Sequence, residues 1–209
     1  MRAGYANNFR LEDLNKIVSI CKKNKVKCYL TLNIIMYDQD LDLMQKICDK
    51  AKKENVDAVI ASDMSVIEYA NSIGLSVHGS TQLNITNIEA VKFYSKYIDA
   101  IVLARELTLD KIKKICEAVK KQDVRGPNKK LIKIEIFAHG ALCVAIAGKC
   151  YMSLAKYNSS ANRGVCFQNC RRSYRVIDEE TGFELTLDNK YVMSPKDLCT
   201  ISFLDKIIK

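Results

Sequence analysis

Hydrophobic positions in the first 140 residues follow two spacings. Segments with apolar residues three and four positions apart predict amphipathic helices, at 11–24, 40–55, 65–74, 86–97 and 109–122. Short, continuous apolar segments predict buried strands, at 27–35, 57–62, 76–82, 99–107 and 131–140. Continuous apolar strands that alternate with amphipathic helices are typical of parallel strands covered by helices.

The regular repetition of these strand–helix steps favours a barrel over an open dinucleotide-binding sheet, because no GxGxxG motif follows a strand. We predict an α/β fold of the (β/α)8 TIM-barrel-like class, present as a partial barrel with a Cys-rich loop insertion after a late strand. Residues 1–140 would form the partial barrel, 141–193 the insertion, and 194–209 the return to the barrel. A closed barrel of eight strands needs roughly 250 residues, so a chain of 209 residues is expected to be a fragment.

In barrels of this class, the loops after the strands carry the chemistry. Polar residues follow the predicted strands at Asn33, Ser62, Asp63, His78, Ser80, Thr81, Gln82, Arg105, Glu106 and His139. Any one of them could be an ordinary cap or turn residue. Their common placement at one rim favours His78, Gln82, Arg105 and His139 as site residues.

Five of the nine cysteines lie late in the chain, at positions 143, 150, 166, 170 and 199. Residues 136–177 contain no Asp or Glu, and their basic residues are Lys149, Lys156, Arg163, Arg171, Arg172 and Arg175. Thiolates surrounded by cations suit a metal or iron–sulfur centre, whose net negative charge needs compensation. The CxxC pairs of zinc fingers are absent from the sequence. Buried structural cysteine is the alternative, and it suits Cys21, Cys28, Cys48 and Cys116 better.

The overall charge is +9, and residues 108–133 hold nine basic against three acidic side chains. This second basic stretch is either a solvated helix face with a loop or part of an RNA surface. The sequence has no apolar run of about 18 residues and no apolar segment of a secretory signal near its start. We therefore expect a cytoplasmic protein with reduced thiols and no membrane span.

A composite motif runs through the late part of the chain: EIFAHGALC (135–143), CYMS (150–153), ANRGVC (161–166), CRRSY (170–174) and SPKDLC (194–199). With STQ (80–82) and LAREL (103–107), it resembles the signature of peptidase family U32, the collagenase-like proteases. The form of the ANRGVC and CRRSY segments is most similar to members that hydroxylate RNA, above all the tRNA 5-hydroxyuridine branch. Two departures are Ala147 before Gly148, where the family usually has Ser, and the absence of the family's opening strand motifs.

The resemblance implies a [4Fe–4S] cluster bound by Cys143, Cys150, Cys166 and Cys199, with Cys170 as a spare or substitute thiol. It also implies tRNA or another RNA as substrate, an electron donor as partner and prephenate as a required metabolite. The oligomeric state stays open.

Roles for polar residues follow from this hypothesis. Substrate binding is expected for His78, Gln82, Arg171, Arg172 and Arg175, with the arginines steering phosphate or an anionic metabolite. His139 would be a proton donor or a partner of the centre, and Arg105 would hold a carboxylate. The alternatives are a collagenase-like peptidase, for which no HExxH or GxSxG motif is present, and a structural metal site of four cysteines without catalysis.

Overall fold

The computed structural model of the chain describes residues 8–186 and 196–208. Two compact units divide it between Ile136 and Phe137. The predicted boundary after residue 140 lies close to this division. Ser194 and Pro195 of the SPKDLC motif lie outside the described residues.

The first unit contains one parallel sheet of five strands, whose order along the sheet is their order in the sequence. The strands are β1 (Tyr29–Leu32), β2 (Ala58–Ala61), β3 (Val77–Gly79), β4 (Ala100–Val102) and β5 (Lys133–Glu135). Each lies inside one predicted strand, so the α/β class with parallel strands is confirmed. Within the described residues, no pairing joins β5 to β1, and a closed TIM barrel is therefore not confirmed.

A helix follows each of the first four strands, and one precedes β1. The helices are α1 (Leu14–Lys23), α2 (Leu41–Lys53), α3 (Met64–Ser72), α4 (Ile88–Tyr94) and α5 (Leu109–Lys121). Polar caps begin two of them: Asp63 accepts a hydrogen bond from the Ser65 amide, and Asn87 accepts one from the Ala90 amide. Lysines in the last turns of α1, α2 and α5 complement the helix dipoles.

The core lies between this sheet and its helices. Val59, Val77 and Ile101 of the strands are fully buried, as is Ile67 of α3. Gly79 allows the Ile98 side chain to pack directly against the backbone of β3, because a Cβ atom at position 79 would lie 2.5 Å from the Cδ1 atom of Ile98. Apolar strand faces covered by amphipathic helices explain why the spacing of hydrophobic residues predicted these elements.

The opposite face of the sheet carries several polar residues among apolar ones. Ala100 of β4 is the register partner of both His78 in β3 and Lys133 in β5, and Glu135 lies two residues after Lys133. Because side chains alternate along a strand, His78, Lys133 and Glu135 share one face of the sheet. Helix α5 buries Ile115 and Val119 and exposes its lysines.

The second unit has two short antiparallel pairs. Strand β6 (His139–Gly140) pairs with β9 (Leu198–Cys199), and β7 (Arg175–Ile177) pairs with β8 (Glu184–Thr186). Its α-helices are α6 (Met152–Tyr157) and α7 (Leu204–Ile208). Among the described helices of both units, none has the length and apolar character needed to cross a membrane.

Candidate functional site

The late cysteines lie in loops and short elements of the second unit. Cys143 follows β6, Cys150 lies just before α6, and Cys166 follows a short 3-10 helix (Ala161–Arg163). Cys170 lies within a second 3-10 helix (Asn169–Arg171), and Cys199 ends β9. None of these five cysteines forms a disulfide. Loops of this kind allow thiolates from distant parts of the sequence to converge.

Two of these thiols accept hydrogen bonds from the backbone two residues further on. The Ala145 amide donates to the Cys143 sulfur at 3.4 Å, and the Gln168 amide donates to the Cys166 sulfur at 3.4 Å. Amide donors stabilise negative charge on sulfur and orient a thiolate toward a bound ion. The two amides therefore help to orient these sulfur atoms.

Side-chain hydrogen bonds hold the segment around Cys170 against α6. The Asn169 amide group donates to the carbonyl of Met152 at 3.1 Å, and the amide of Phe167 donates to the Ser153 hydroxyl at 3.0 Å. Asn169 and Ser153 are both buried. These contacts place the Cys166–Cys170 segment beside the helix that begins next to Cys150.

Cys170 lies among the other thiols. Burial raises the pKa of the Cys170 thiol, and negative charge on Cys143, Cys166 and Cys150 raises it further, while Arg171 acts in the opposite direction. The hydrogen bonds of Asn169 to Met152 and of Arg171 to Leu142 place Cys170 in the neighbourhood of the Cys150 and Cys143 segments. Cys199 is exposed and does not contribute to this shift.

This neighbourhood suits a thiolate-bound centre in its donor chemistry, with sulfur ligands and backbone donors to two of them. Among residues 8–186 and 196–208, however, no three His, Cys, Asp or Glu side chains are arranged closely enough to hold a metal ion. The donors are gathered but do not have the distances of a formed site. The predicted ligand set, Cys143, Cys150, Cys166 and Cys199, stays a prediction.

The cysteines of the first unit have a different environment. Cys28 and Cys48 are buried in its core. Burial raises the pKa of the Cys48 thiol to about 11, with a smaller contribution from Asp49, so this thiol stays protonated at neutral pH. Burial likewise raises the pKa of Cys116. Structural packing explains these residues, as the sequence predicted.

The three arginines predicted to bind substrate all contact other residues of the second unit. Arg171 donates to the carbonyl of Leu142 at 3.0 Å and to Asp197 at 2.9 Å. The other two pairs are Arg172 with the Tyr157 hydroxyl at 2.7 Å and Arg175 with Glu184 at 3.2 Å. Arg171 thus ties the Cys170 segment to the residue that precedes Cys143, a positioning function that sequence reasoning missed.

At the carboxyl ends of the first unit's strands, hydrogen bonds connect three of the predicted polar positions. The Asn33 side chain donates to the Ser80 hydroxyl at 3.1 Å, and Ser80 donates to the Gln82 side chain at 3.2 Å. The Thr81 hydroxyl donates to the carbonyl of Leu103 at 3.3 Å. These bonds bring the ends of β1, β3 and β4 together at one edge. Gln82 is half-buried there, and Arg105 is half-buried in the turn after β4.

His78 lies within β3 and is 6% exposed. Its Nδ1 atom is 3.3 Å from Oε1 of Glu135, within the distance of an ion pair but not aligned for a hydrogen bond. The Tyr29 ring packs against the imidazole, with 4.6 Å between ring centroids. The interaction with His78 lowers the pKa of Glu135. Glu135 was not among the predicted site residues, although the alternating K-I-E-I text of its strand placed it on one face with Lys133.

His139, the other histidine, is exposed in the second unit. It is the direct partner of Cys199 in the β6–β9 pair. Paired residues of an antiparallel ribbon project from the same face, so this histidine and this thiol are neighbours.

Comparison with known proteins identifies the family of this chain. The family model for peptidase family U32 matches residues 1–209. A collagenase of Porphyromonas gingivalis is 53% identical over 208 residues, which are 100% of this chain and 50% of that protein. The 23S rRNA 5-hydroxycytidine C2501 synthase of Escherichia coli is 37% identical over 188 residues, covering 90% of this chain and 27% of the synthase.

The tRNA hydroxylation protein P1 of Bacillus subtilis is 32% identical over 211 residues, with coverage of 98% of this chain and 47% of the relative. The chain thus spans half or less of the length of these three relatives. The names of these relatives indicate two different activities, proteolysis and RNA hydroxylation. The match to the family model covers every residue of this chain. This chain belongs to peptidase family U32.

Proposed function

We propose that the chain is part of an enzyme that hydroxylates pyrimidines in RNA, with tRNA uridine as the first candidate substrate. The observation that carries this proposal is that hydrogen bonds connect the Cys166–Cys170 segment, which lacks carboxylates, to residues close in sequence to Cys143 and Cys150. Two relatives that cover at least 90% of the chain are named for RNA hydroxylation. A peptidase has no use for several thiols in one place, since one nucleophile suffices.

A [4Fe–4S] cluster is the proposed cofactor, and when bound it would supply electron transfer. Cys143, Cys150 and Cys166 are proposed to hold it. The fourth ligand is either Cys199, which the resemblance implies, or Cys170, which the hydrogen bonds of Asn169 and Arg171 place beside the other thiols. The amides of Ala145 and Gln168 would donate to two of the thiolates.

Basic residues of the second unit would serve both cofactor and substrate. Lys149 and Arg172 are exposed near the thiol segments and would offset the negative charge of thiolates and attract RNA phosphate. An electron donor and prephenate remain proposed requirements of the complete enzyme.

Metal content of anaerobically purified protein is the first test. Brown protein with broad absorbance near ~400 nm and about four iron and four sulfide per chain would support the cluster. Comparing Cys170→Ser with Cys199→Ser identifies the fourth ligand, because only the ligand variant should lose iron. Colourless protein with one zinc would refute the cluster in favour of a structural site.

Nucleoside analysis of tRNA and rRNA from a strain lacking the gene tests the activity. We expect the loss of 5-hydroxypyrimidine nucleosides and their return when the gene is restored. Unchanged nucleosides in both RNAs would refute RNA hydroxylation, whatever the metal content.

Proteolysis is the second candidate function, because the collagenase of P. gingivalis is 53% identical over the chain. Among the described residues, the structure offers Cys199 and His139 for nucleophilic chemistry, because they are partners in β6–β9. Gelatin cleavage that is lost in both Cys199→Ala and His139→Ala, with RNA nucleosides unchanged in the deletion strain, would assign the chain to proteolysis.

A further inference from the structure

Tyr151 exposes its ring although it lies between Cys150 and α6. It is 72% exposed. Two other aromatic residues of this unit have partners: Tyr157 packs on Phe167 with 4.5 Å between ring centroids. Arg172 lies 5.5 Å from the centroid of Tyr157 and donates to its hydroxyl. Tyr151 therefore presents a ring to solvent next to a predicted cluster ligand.

The stretch of sequence that contains this ring is positively charged, and carboxylates pair with only part of that charge. Residues 137–177 contain no Asp or Glu. In the folded unit, carboxylates reach two of its cations, Arg171 and Arg175. Lys149 and Lys156 are exposed and form no ion pair with a carboxylate among the described residues. The two lysines flank Tyr151 in the sequence, two residues before it and five after it.

An exposed aromatic ring that lysines flank in the sequence matches single-stranded nucleic acid. Unpaired bases stack on aromatic side chains while lysines contact the phosphates. In a duplex, stacking covers the faces of the bases, so no base face is available to a tyrosine ring. Because this stretch of the chain is positively charged and has no carboxylates, it favours a polyanion over a neutral or basic protein surface.

We infer that Lys149, Tyr151 and Lys156 form a docking surface for unpaired RNA nucleotides, with one base stacked on Tyr151. The inference rests on the proposed function and deepens it by specifying the form of RNA that is bound. A base on Tyr151 would lie beside Cys150, so the surface would also place the nucleotide next to the thiol cluster.

Fluorescence anisotropy with a labelled oligouridylate of about 12 nucleotides tests this surface in the full chain. We expect tighter binding of the single strand than of a duplex of equal length. Tyr151→Ala should weaken single-strand binding by about 5- to 150-fold, the range for loss of one base–aromatic stack. Tyr151→Phe should retain most of the affinity, because the ring face remains. Lys149→Gln should reduce the steepness of the slope of log affinity against log salt by about 1, the change expected for the loss of one phosphate contact.

Phe183 provides the matched control. It belongs to the same unit and is 64% exposed, but it adjoins Asp178 and Glu184 rather than lysines. Phe183→Ala should leave RNA affinity unchanged. Circular dichroism and iron content of each variant check that folding and cofactor binding are preserved.

Equal effects of Tyr151→Ala and Phe183→Ala, or equal affinity for duplex and single strand, would overturn the inference. If the chain binds no RNA and Tyr151→Ala instead abolishes self-association, the ring is a protein contact and the inference is wrong. Failure is separable from that of the proposed function. If the deletion strain loses hydroxylated nucleosides but Tyr151→Ala binds RNA as tightly as the wild type, only the docking surface is rejected. If Tyr151→Ala weakens RNA binding but the deletion strain keeps its hydroxylated nucleosides, only the hydroxylation is rejected.

Discussion

Arg171 should stabilise the thiol loops of the second unit, and Arg171→Ala tests this. Its side chain is 15% exposed, and its guanidinium donates to the Leu142 carbonyl at 3.0 Å and to Asp197 at 2.9 Å. A hydrogen bond that involves a charged group contributes about 1.5–3 kcal/mol when shielded. The bond to Asp197 counts for less, about 0–1 kcal/mol, because this carboxylate is 54% exposed. Removing the side chain should therefore cost about 2–3 kcal/mol of local stability.

Native-state hydrogen exchange measures this cost where it arises. The protection factors of the amides in residues 142–172 should be about 30- to 150-fold lower in Arg171→Ala than in the wild type, since 1.36 kcal/mol corresponds to a factor of ten. Protection of the first unit's strands should stay unchanged, because all contacts of Arg171 described above lie in the second unit.

Arg175→Ala is the matched control. Arg175 is 82% exposed and pairs with Glu184 at 3.2 Å, an arrangement worth at most about 1 kcal/mol. Its removal should reduce protection by less than about fivefold, and only near β7 and β8. If Arg171→Ala has no larger effect than Arg175→Ala, then Arg171 does not hold the loops together.

Three further predictions concern individual positions. Since His78 lowers the pKa of Glu135, the ionised carboxylate stabilises the fold at neutral pH, and this contribution is lost as the pH falls through the lowered value. Urea midpoints should therefore fall less between pH 6 and pH 3 in Glu135→Gln than in the wild type, and an equal fall would refute the coupling. Gly79→Ala should cost about 1–3 kcal/mol in urea unfolding, because its Cβ would lie 2.5 Å from a core isoleucine methyl; a neutral result would contradict the close packing. Cys150→Ser should remove iron absorbance while Cys116→Ser keeps it, and equal colour in both would exclude Cys150 as a ligand.

The spacing of hydrophobic residues was sufficient to predict the elements of the first unit. All five strands and all five helices occur where the two periodicities place them. The reason is local: a helix or strand buries one face, and the sequence carries that periodicity directly. Closure of the sheet into a barrel depends on pairing between distant strands, and the periodicity does not determine it.

The candidate site was predicted in its composition but not in its arrangement. The late cysteines and the absence of carboxylates are visible in the sequence. The neighbours of Cys170 are not, because its place among the thiols depends on hydrogen bonds from Asn169 and Arg171 to residues 17 and 29 positions away. Cys143, Cys150 and Cys166 share that neighbourhood, whereas Cys199 pairs with His139 in a separate ribbon.

The sequence by itself determined the α/β class, the order of the elements and the membership of peptidase family U32, since these follow from local periodicity and from motifs that are contiguous in the chain. Only the tertiary structure decided what each polar group contacts. It paired His78 with Glu135 across β4, turned Arg171 toward Leu142 and Asp197, and left Tyr151 exposed. Such contacts join residues far apart in the sequence, and the free energy that selects them comes from burial and hydrogen bonding in the folded chain.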